Sequence, residues 1–295
     1  MAIAECISGV DSSQRELVQH GTPAFPVACY FDDLSNYEVQ WHWHEELEAA
    51  IILEGTALIA AGNEKYILRA GEGFFVNSQI LHGCWDLEGS CSKFHSIVFH
   101  PRLVGGSLDS QLYQTYVLPL TENHAMESLH MKPDIPWQKE FLSRIEAAWQ
   151  ACSQEGTGYE FQVRNALSDL ILLLHRNSPD ARNQPSSKQQ RDSDRIKAML
   201  QYIHEHSTDE VTTRAIAQAA AISESECLRC FRSTIGTTPI QYVRQYRIQK
   251  ATELLTATQL PVSAISEQCG FQDVSYFTKT FRVIKGCAPT VFRKK

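Results

Sequence analysis

The chain has 295 residues, 43% apolar and 21% charged, with a net charge of −7, which is enough for two domains that each bury a core. No run of about 18 apolar residues exists to span a bilayer, and the N-terminus lacks the layout of a signal peptide, so a cytoplasmic protein is expected. The nine cysteines are scattered and odd in number, which argues against a disulfide framework.

The first 130 residues are rich in aromatic and β-branched types, in short runs broken by Gly and Asn. Ala49 to Ala61, Lys65 to Arg69 and Gly73 to Val76 read as strands, with turns at Gly62-Asn63 and Ala70 to Gly73. That spacing predicts a sandwich or barrel over residues 1–135. Within it, Trp41-His42-Trp43-His44 alternates, so a strand puts both imidazoles on one face and both indoles on the other. Glu48 follows four places on, and His82 lies beyond the Gly71 to Gly73 turn. Three imidazoles and a carboxylate make the ligand set of a mononuclear metal site. The same four groups also suit the hydroxyls or carboxylate of an organic effector, with Trp43 offering a stacking ring. A third reading leaves the histidines as satisfied core residues, the role expected of His95 and His100.

Trp137, Phe141, Ile145 and Trp149, then Val163, Leu167, Leu170, Ile171 and Leu174, recur at helical spacing and predict a helical pair over residues 136–176. Its apolar stripes suit the strand domain or a second copy of the chain, making a homodimer. Residues 177–191 have no apolar periodicity and two prolines, and read as a linker.

Residues 192–295 read as all-helical, which makes the whole an α+β chain of two domains. Charge divides with them. From residue 189 onward, 15 Lys and Arg stand against 10 Asp and Glu, net +5; the remainder is net −12. The basic part can meet phosphates. Here Phe231-Arg232, Gly236 and Pro239 recur 50 residues later as Phe281-Arg282, Gly286 and Pro289. Each set closes a short helix, a turn and a second helix of the kind that enters DNA grooves. Ser223 to Glu226 reads as a capping box. With Cys227 and Phe231 in the core, the first groove-facing helix presents Ser225, Leu228, Arg229 and Arg232. The second, with Phe277 and Phe281 inside, presents Val274, Ser275, Tyr276, Thr278 and Lys279. Between them Ile240 to Leu255 forms a rod about 24 Å long, suited to two successive major grooves about 34 Å apart. Cys227 and Cys230, spaced like a redox pair, fall on a helix and are expected to pack.

Gly236-x-x-Pro239, Arg247-x-x-x-Ala251-x-x-Leu254-Leu255, Gly270-Phe271, Ser275-Tyr276-Phe277 and Phe281-Arg282 resemble the DNA-binding domain of AraC/XylS-type transcription regulators over about 100 residues. Ala221 stands where that family often carries a turn glycine, and Leu228 where a polar base reader is common. The order His42-x-His44-x-x-x-Glu48, Gly55 and a later His82 is similar to cupin barrel motifs, with Asn36, Asn77 and Gln79 departing from the usual Gly, Pro and Gly. The resemblance implies a promoter-binding activator, responsive to a small polar molecule such as a sugar, that works with RNA polymerase. A divalent metal in the barrel is the alternative occupant. A metal-dependent cupin isomerase or dioxygenase with an accessory DNA domain is the alternative function, and a regulator answering to a partner protein is a third.

Overall fold

The computed structural model describes residues 9–293 apart from 12–13, 36, 88, 124 and 178–186, so Asn36 and most of the expected linker lie outside the described residues. The chain divides into two compact units at Ser193/Asp194.

Among the described residues of the first unit nine strands form two antiparallel sheets. The five-stranded sheet holds, in order, β1 (Val27–Asp33), β8 (Lys93–Phe99), β3 (Leu47–Glu54), β6 (Gly73–Val76) and β9 (Ser128–Met131). The other holds β2 (Val39–His42), β7 (His82–Asp86), β4 (Thr56–Ala61) and β5 (Glu64–Arg69). The run expected as one strand from Ala49 to Ala61 is therefore two strands in different sheets. The break is Gly55, at φ +76, where a Cβ would come within 2.7 Å of the Ser92 backbone. Only glycine turns the chain there at no steric cost.

Alternation sorts the side chains of the five-stranded sheet. Ala50, Ile52, Phe74 and Phe94 meet the four-stranded sheet, while Leu47, Ala49, Ile97 and Phe99 face outward onto helices. Those helices are α3 (Pro136–Gln154) and α4 (Tyr159–Asn177), preceded in the chain by two one-turn helices, α1 (Arg102–Gly105) and α2 (Leu118–Thr121). Phe141, Ile145 and Trp149 of α3, and Val163, Leu167, Leu170, Ile171 and Leu174 of α4, are buried in one core with the sheet. The indole N–H of Trp149 donates to the Tyr30 carbonyl at 2.9 Å. The stripes that suggested contact with a second copy are thus used within the chain.

The second unit is helical: α5 (Ser187–Glu205), α6 (Thr213–Ala219), α7 (Glu224–Thr234), α8 (Pro239–Ala257), α9 (Val262–Gln268), α10 (Val274–Lys285) and α11 (Pro289–Phe292). Helix α5 begins inside the stretch expected as linker. Ser187 to Gln190 carries no apolar stripe, but these residues tolerate a helix once Pro185 is passed. Phe277 and Phe281 pack with Ile248, Ala251, Leu255 and Ile265 of the rod and of α9. Among the described residues no helix is long and apolar enough to cross a membrane.

Candidate ligand site and nucleic-acid interface

Between the two sheets lies a partly open cavity of ≈ 40 Å³, walled by apolar Ile59, Phe74 and Phe94 and by a cluster of polar groups. Strand β2 supplies His42, the turn after it His44, β3 supplies Glu48 and β7 supplies His82. All four are buried, and their ligand atoms lie within 4.8 Å of one another. Pairing of His42 with His82 across β2 and β7, and of Glu48 into β3, fixes the set on rigid backbone. Each imidazole is oriented from behind. The Nδ1–H of His42 donates to the Gln40 carbonyl at 2.8 Å, that of His44 to Glu46 at 3.2 Å, and that of His82 to Ile80 at 2.7 Å. This leaves the Nε2 of His44 and His82 at 3.4 and 2.9 Å from one oxygen of Glu48.

Charge follows from that geometry. Burial alone would raise the Glu48 carboxyl, but hydrogen bonds from His44 and His82 outweigh it and hold the group well below the usual carboxylate range. Burial lowers His82, yet its hydrogen bond to Glu48 carries the balance upward. Both its ring nitrogens face acceptors, the Ile80 carbonyl and Glu48. His42 falls to about 4 through burial and the nearby His82 charge.

Four further residues, which the strand pattern did not point to, line the same cavity: Glu16, His20, Tyr30 and Asp32. His20 Nε2 donates to Glu16 at 3.0 Å and its Nδ1 accepts from the Tyr30 hydroxyl at 2.7 Å. The same Glu16 oxygen is 3.9 Å from His42 Nε2. Asp32 accepts from the hydroxyls of Tyr37 and Ser96. Two signals were available, the Glu16/His20 spacing of four and the Tyr30/Asp32 spacing of two on β1. Trp43 stands outside the cavity wall, with the Arg15 guanidinium 5.8 Å over its ring. It cannot stack on an occupant. His95 also lies off the cavity, stacked on Trp149 at 3.4 Å. Asn77 is buried and donates to the Leu120 and Met126 carbonyls, while Gln79 adopts φ +63, the conformation a glycine would supply. A larger groove of ≈ 510 Å³ beside Arg102, Phe161 and Arg164 is open to solvent, and those three side chains are exposed. Convergent buried polar groups, not volume, single out the interior cavity.

In the second unit α7 and α10 repeat one local design. Ser223 caps α7 by accepting from the Glu226 amide at 3.2 Å, and Asp273 caps α10 through the Tyr276 amide. The turns before them pass through the left-handed region at Ala221 (φ +53) and Gly270 (φ +77). Cys227 and Phe231, like Phe277 and Phe281, are fully buried. Burial pushes the Cys227 thiol up to about 11, as suits a packed thiol. Ser225, Arg229, Arg232, Val274, Ser275, Tyr276 and Lys279 are exposed, while Leu228 and Thr278 are half-buried beside them. The capping box expected in α7 forms in its Ser223 half. The Glu226 carboxylate instead receives Arg229 Nε at 3.0 Å and Nη2 at 2.8 Å, and Arg195 of α5 at 3.2 Å. A complete reciprocal box occurs in α8, between Thr238 and Gln241. Arg244 of α8 lies 6.0 Å over the Tyr276 ring. These partners of the candidate readers were not legible from the repeat.

Two family models match this chain: an AraC-like ligand binding domain over residues 25–222 and a helix-turn-helix domain over residues 216–295. It is 32% identical over 288 residues, 97% of either chain, to the uncharacterized HTH-type transcriptional regulator YdeC of Bacillus subtilis. It is 24% identical over 252 residues, 82% of either chain, to the HTH-type transcriptional activator RhaS of Escherichia coli. Among solved structures, apo ToxT of Vibrio cholerae aligns over 94% of this chain and 99% of its own, at 15% identity and a TM-score of 0.41. A cupin-like strand domain that holds a ligand cavity, followed by paired helix-turn-helix units, places this chain in the AraC family of DNA-binding transcription regulators.

Proposed function

We propose that the protein is a cytoplasmic, effector-responsive regulator that reads promoter DNA with α7 and α10 and binds its effector in the cavity between the sheets. The observation that carries the DNA half is the repeat itself. Two capped helices present a basic side chain at the same place, Arg229 and Lys279, two residues before a buried Phe. Ser225, Leu228 and Arg232 flank the first, and Val274, Ser275, Tyr276 and Thr278 flank the second. Arg or Lys bonds guanine edges, and Leu, Val or Thr touches thymine methyls. Activation through RNA polymerase is the expected mode, in keeping with the activator named among its relatives. Those relatives also favour a regulator over a metal-dependent isomerase or dioxygenase.

The effector half rests on buried charge. Glu16, Glu48 and three imidazoles converge on the cavity, a costly arrangement that an occupant repays. Binding acts on DNA to the extent that the effector holds one of two states of the chain more tightly. The sugar expected from the family resemblance is not carried forward, because ≈ 40 Å³ is far below the roughly 300 Å³ at which organic pockets begin. Full-length protein used to select fragments from a random DNA pool tests the first half. A recovered motif with two dissimilar half-sites about one helical turn apart supports it, and recovery of unrelated fragments alone refutes it.

A further inference from the structure

The cavity between the sheets is the wrong size for a metabolite and the right size for an ion. An interior site needs roughly 10–15 Å³ to hold one water; ≈ 40 Å³ admits a cation and a little water. Its walls have the matching chemistry. The ligand atoms of His42, His44, Glu48 and His82 fall within 4.8 Å of one another, so one ion can reach all four. The backbone carbonyls of Gln40, Glu46 and Ile80 hold the three Nδ1–H groups, which turns every Nε2 into the cavity. Such an outer shell fixes the tautomer and ring orientation that metal ligation requires. A core whose histidines served only packing would not need all three preset alike. Three imidazoles with one carboxylate suit a first-row divalent transition metal, whereas magnesium and calcium prefer all-oxygen sites.

Glu16 adds what the strand pattern lacks. It comes from the segment before β1, and its carboxylate lies 3.9 Å from His42 Nε2. It also falls within 4.8 Å of the ligand atoms of His20 and His44. His20, itself held by Tyr30, fixes its direction. Glu16 is thus positioned to reach the ion directly or to accept from a water on it.

We infer that the effector is a divalent transition-metal ion, bound by Nε2 of His42, His44 and His82 and the carboxylate of Glu48, with Glu16 as a fifth group. The inference rests on the barrel being the sensor of this regulator. The test uses full-length protein stripped with a chelator, then titrated separately with Co²⁺, Zn²⁺, Mn²⁺, Fe²⁺ and Ni²⁺. One equivalent of at least one ion is expected to bind, Co²⁺ giving visible d–d absorption. His82→Gln and Glu48→Gln should abolish that stoichiometric binding while melting, metal-free, within a few degrees of the stripped parent. Glu16→Gln should keep one equivalent, lose about 10–100-fold in affinity and give a more intense Co²⁺ band as the coordination number falls. Metal should shift affinity for the selected DNA at least fivefold in the parent and not in His82→Gln.

No stoichiometric binding of any of the five ions overturns the inference. Unchanged binding in both His82→Gln and Glu48→Gln overturns the assigned ligands, and a spectrum and affinity unaffected by Glu16→Gln removes the fifth group. Equal DNA affinity with and without bound metal overturns the effector role. Failure to select DNA in either state, with metal binding intact, counts against the regulator reading and leaves the metal centre standing.

Discussion

Replacing Gly270 by Ala tests whether the two helix-turn-helix turns hold the same backbone. Both pass through the left-handed region, at Ala221 with φ +53 and Gly270 with φ +77. A Cβ at 270 would stand 2.7 Å from the Ser207 carbonyl oxygen and 2.7 Å from the Thr208 Cα. Both are backbone atoms and cannot swing aside. The conformation costs an L-residue about 1–2 kcal/mol, relieving the overlap adds about 1–3 kcal/mol, and the stiffer unfolded chain returns about 0.4–1 kcal/mol. The net expectation is about 2–4 kcal/mol of destabilisation. For a unit of about 100 residues that lowers the melting temperature by roughly 10–25 °C. Ala221→Gly runs the other way: about 1–2 kcal/mol of strain is relieved against about 0.4–1 kcal/mol of extra chain entropy, a gain of about 0.5–1 kcal/mol. Urea and thermal unfolding of full-length protein, followed by circular dichroism, reads both. A Gly270→Ala variant as stable as its parent, or an Ala221→Gly variant that loses stability, would refute the assignment of these turns.

Arg229→Ala and Lys279→Ala should each weaken binding to the selected DNA by about 1–3 kcal/mol and relax base preference in one half-site only; fluorescence anisotropy against single-base variants checks this. Glu226→Ala, which removes the carboxylate that holds Arg229, should broaden base preference at the first half-site with little loss of affinity. A drop as large as that of Arg229→Ala would show that Glu226 acts through the fold instead. Phe231→Ala and Phe281→Ala empty fully buried positions and should cost about 3–5 kcal/mol each, seen as a lowered urea midpoint. The metal-stripped first unit should lose stability as pH falls from about 6.5 towards 4. His42 titrates near 4 when folded and near 6.5 when unfolded, so acid protonates the unfolded chain first. The stabilisation from His82, which Glu48 raises, is lost as pH climbs above the unfolded histidine value, so it opposes the His42 slope only at the upper edge of that window. His42→Gln should flatten the pH dependence.

Much of the second unit was legible because its signals are local. The cap at Ser223, the left-handed turn at Gly270 and the proline opening α8 each follow from a residue's own chemistry, whereas the left-handed backbone at Ala221 runs against it. The four-residue cluster of the barrel was legible for a similar reason, since His42 and His44 lie two apart and Glu48 enters the next strand. Tyr30 and Asp32 join it through long-range pairing of β1 with β8, and Glu16 through the bridge of Arg15 to Trp43, contacts that no spacing within a strand records. The same limit explains the expected strand from Ala49 to Ala61. Its apolar run is continuous because β3 is buried on both faces and β4 follows at once, so only Gly55 marks the change of sheet.

The repeat that identifies the reader also conceals how its copies differ. Arg229 presents a planar fork, but Nε and one Nη are committed to Glu226, which Arg195 anchors in turn. In the proposed reading role, gripping guanine with two parallel bonds would require Arg229 to exchange Glu226 for the base. That exchange replaces one charge-assisted pair by another, so it adds discrimination more than affinity. Lys279 is a compact ammonium on an exposed stem, set among the hydroxyls of Ser275 and Thr278. It gains electrostatic attraction with little geometric demand. On the proposed reading, the first helix would reject wrong bases and the second would hold the duplex, a difference that follows from Glu226 and has no counterpart in the repeated motif.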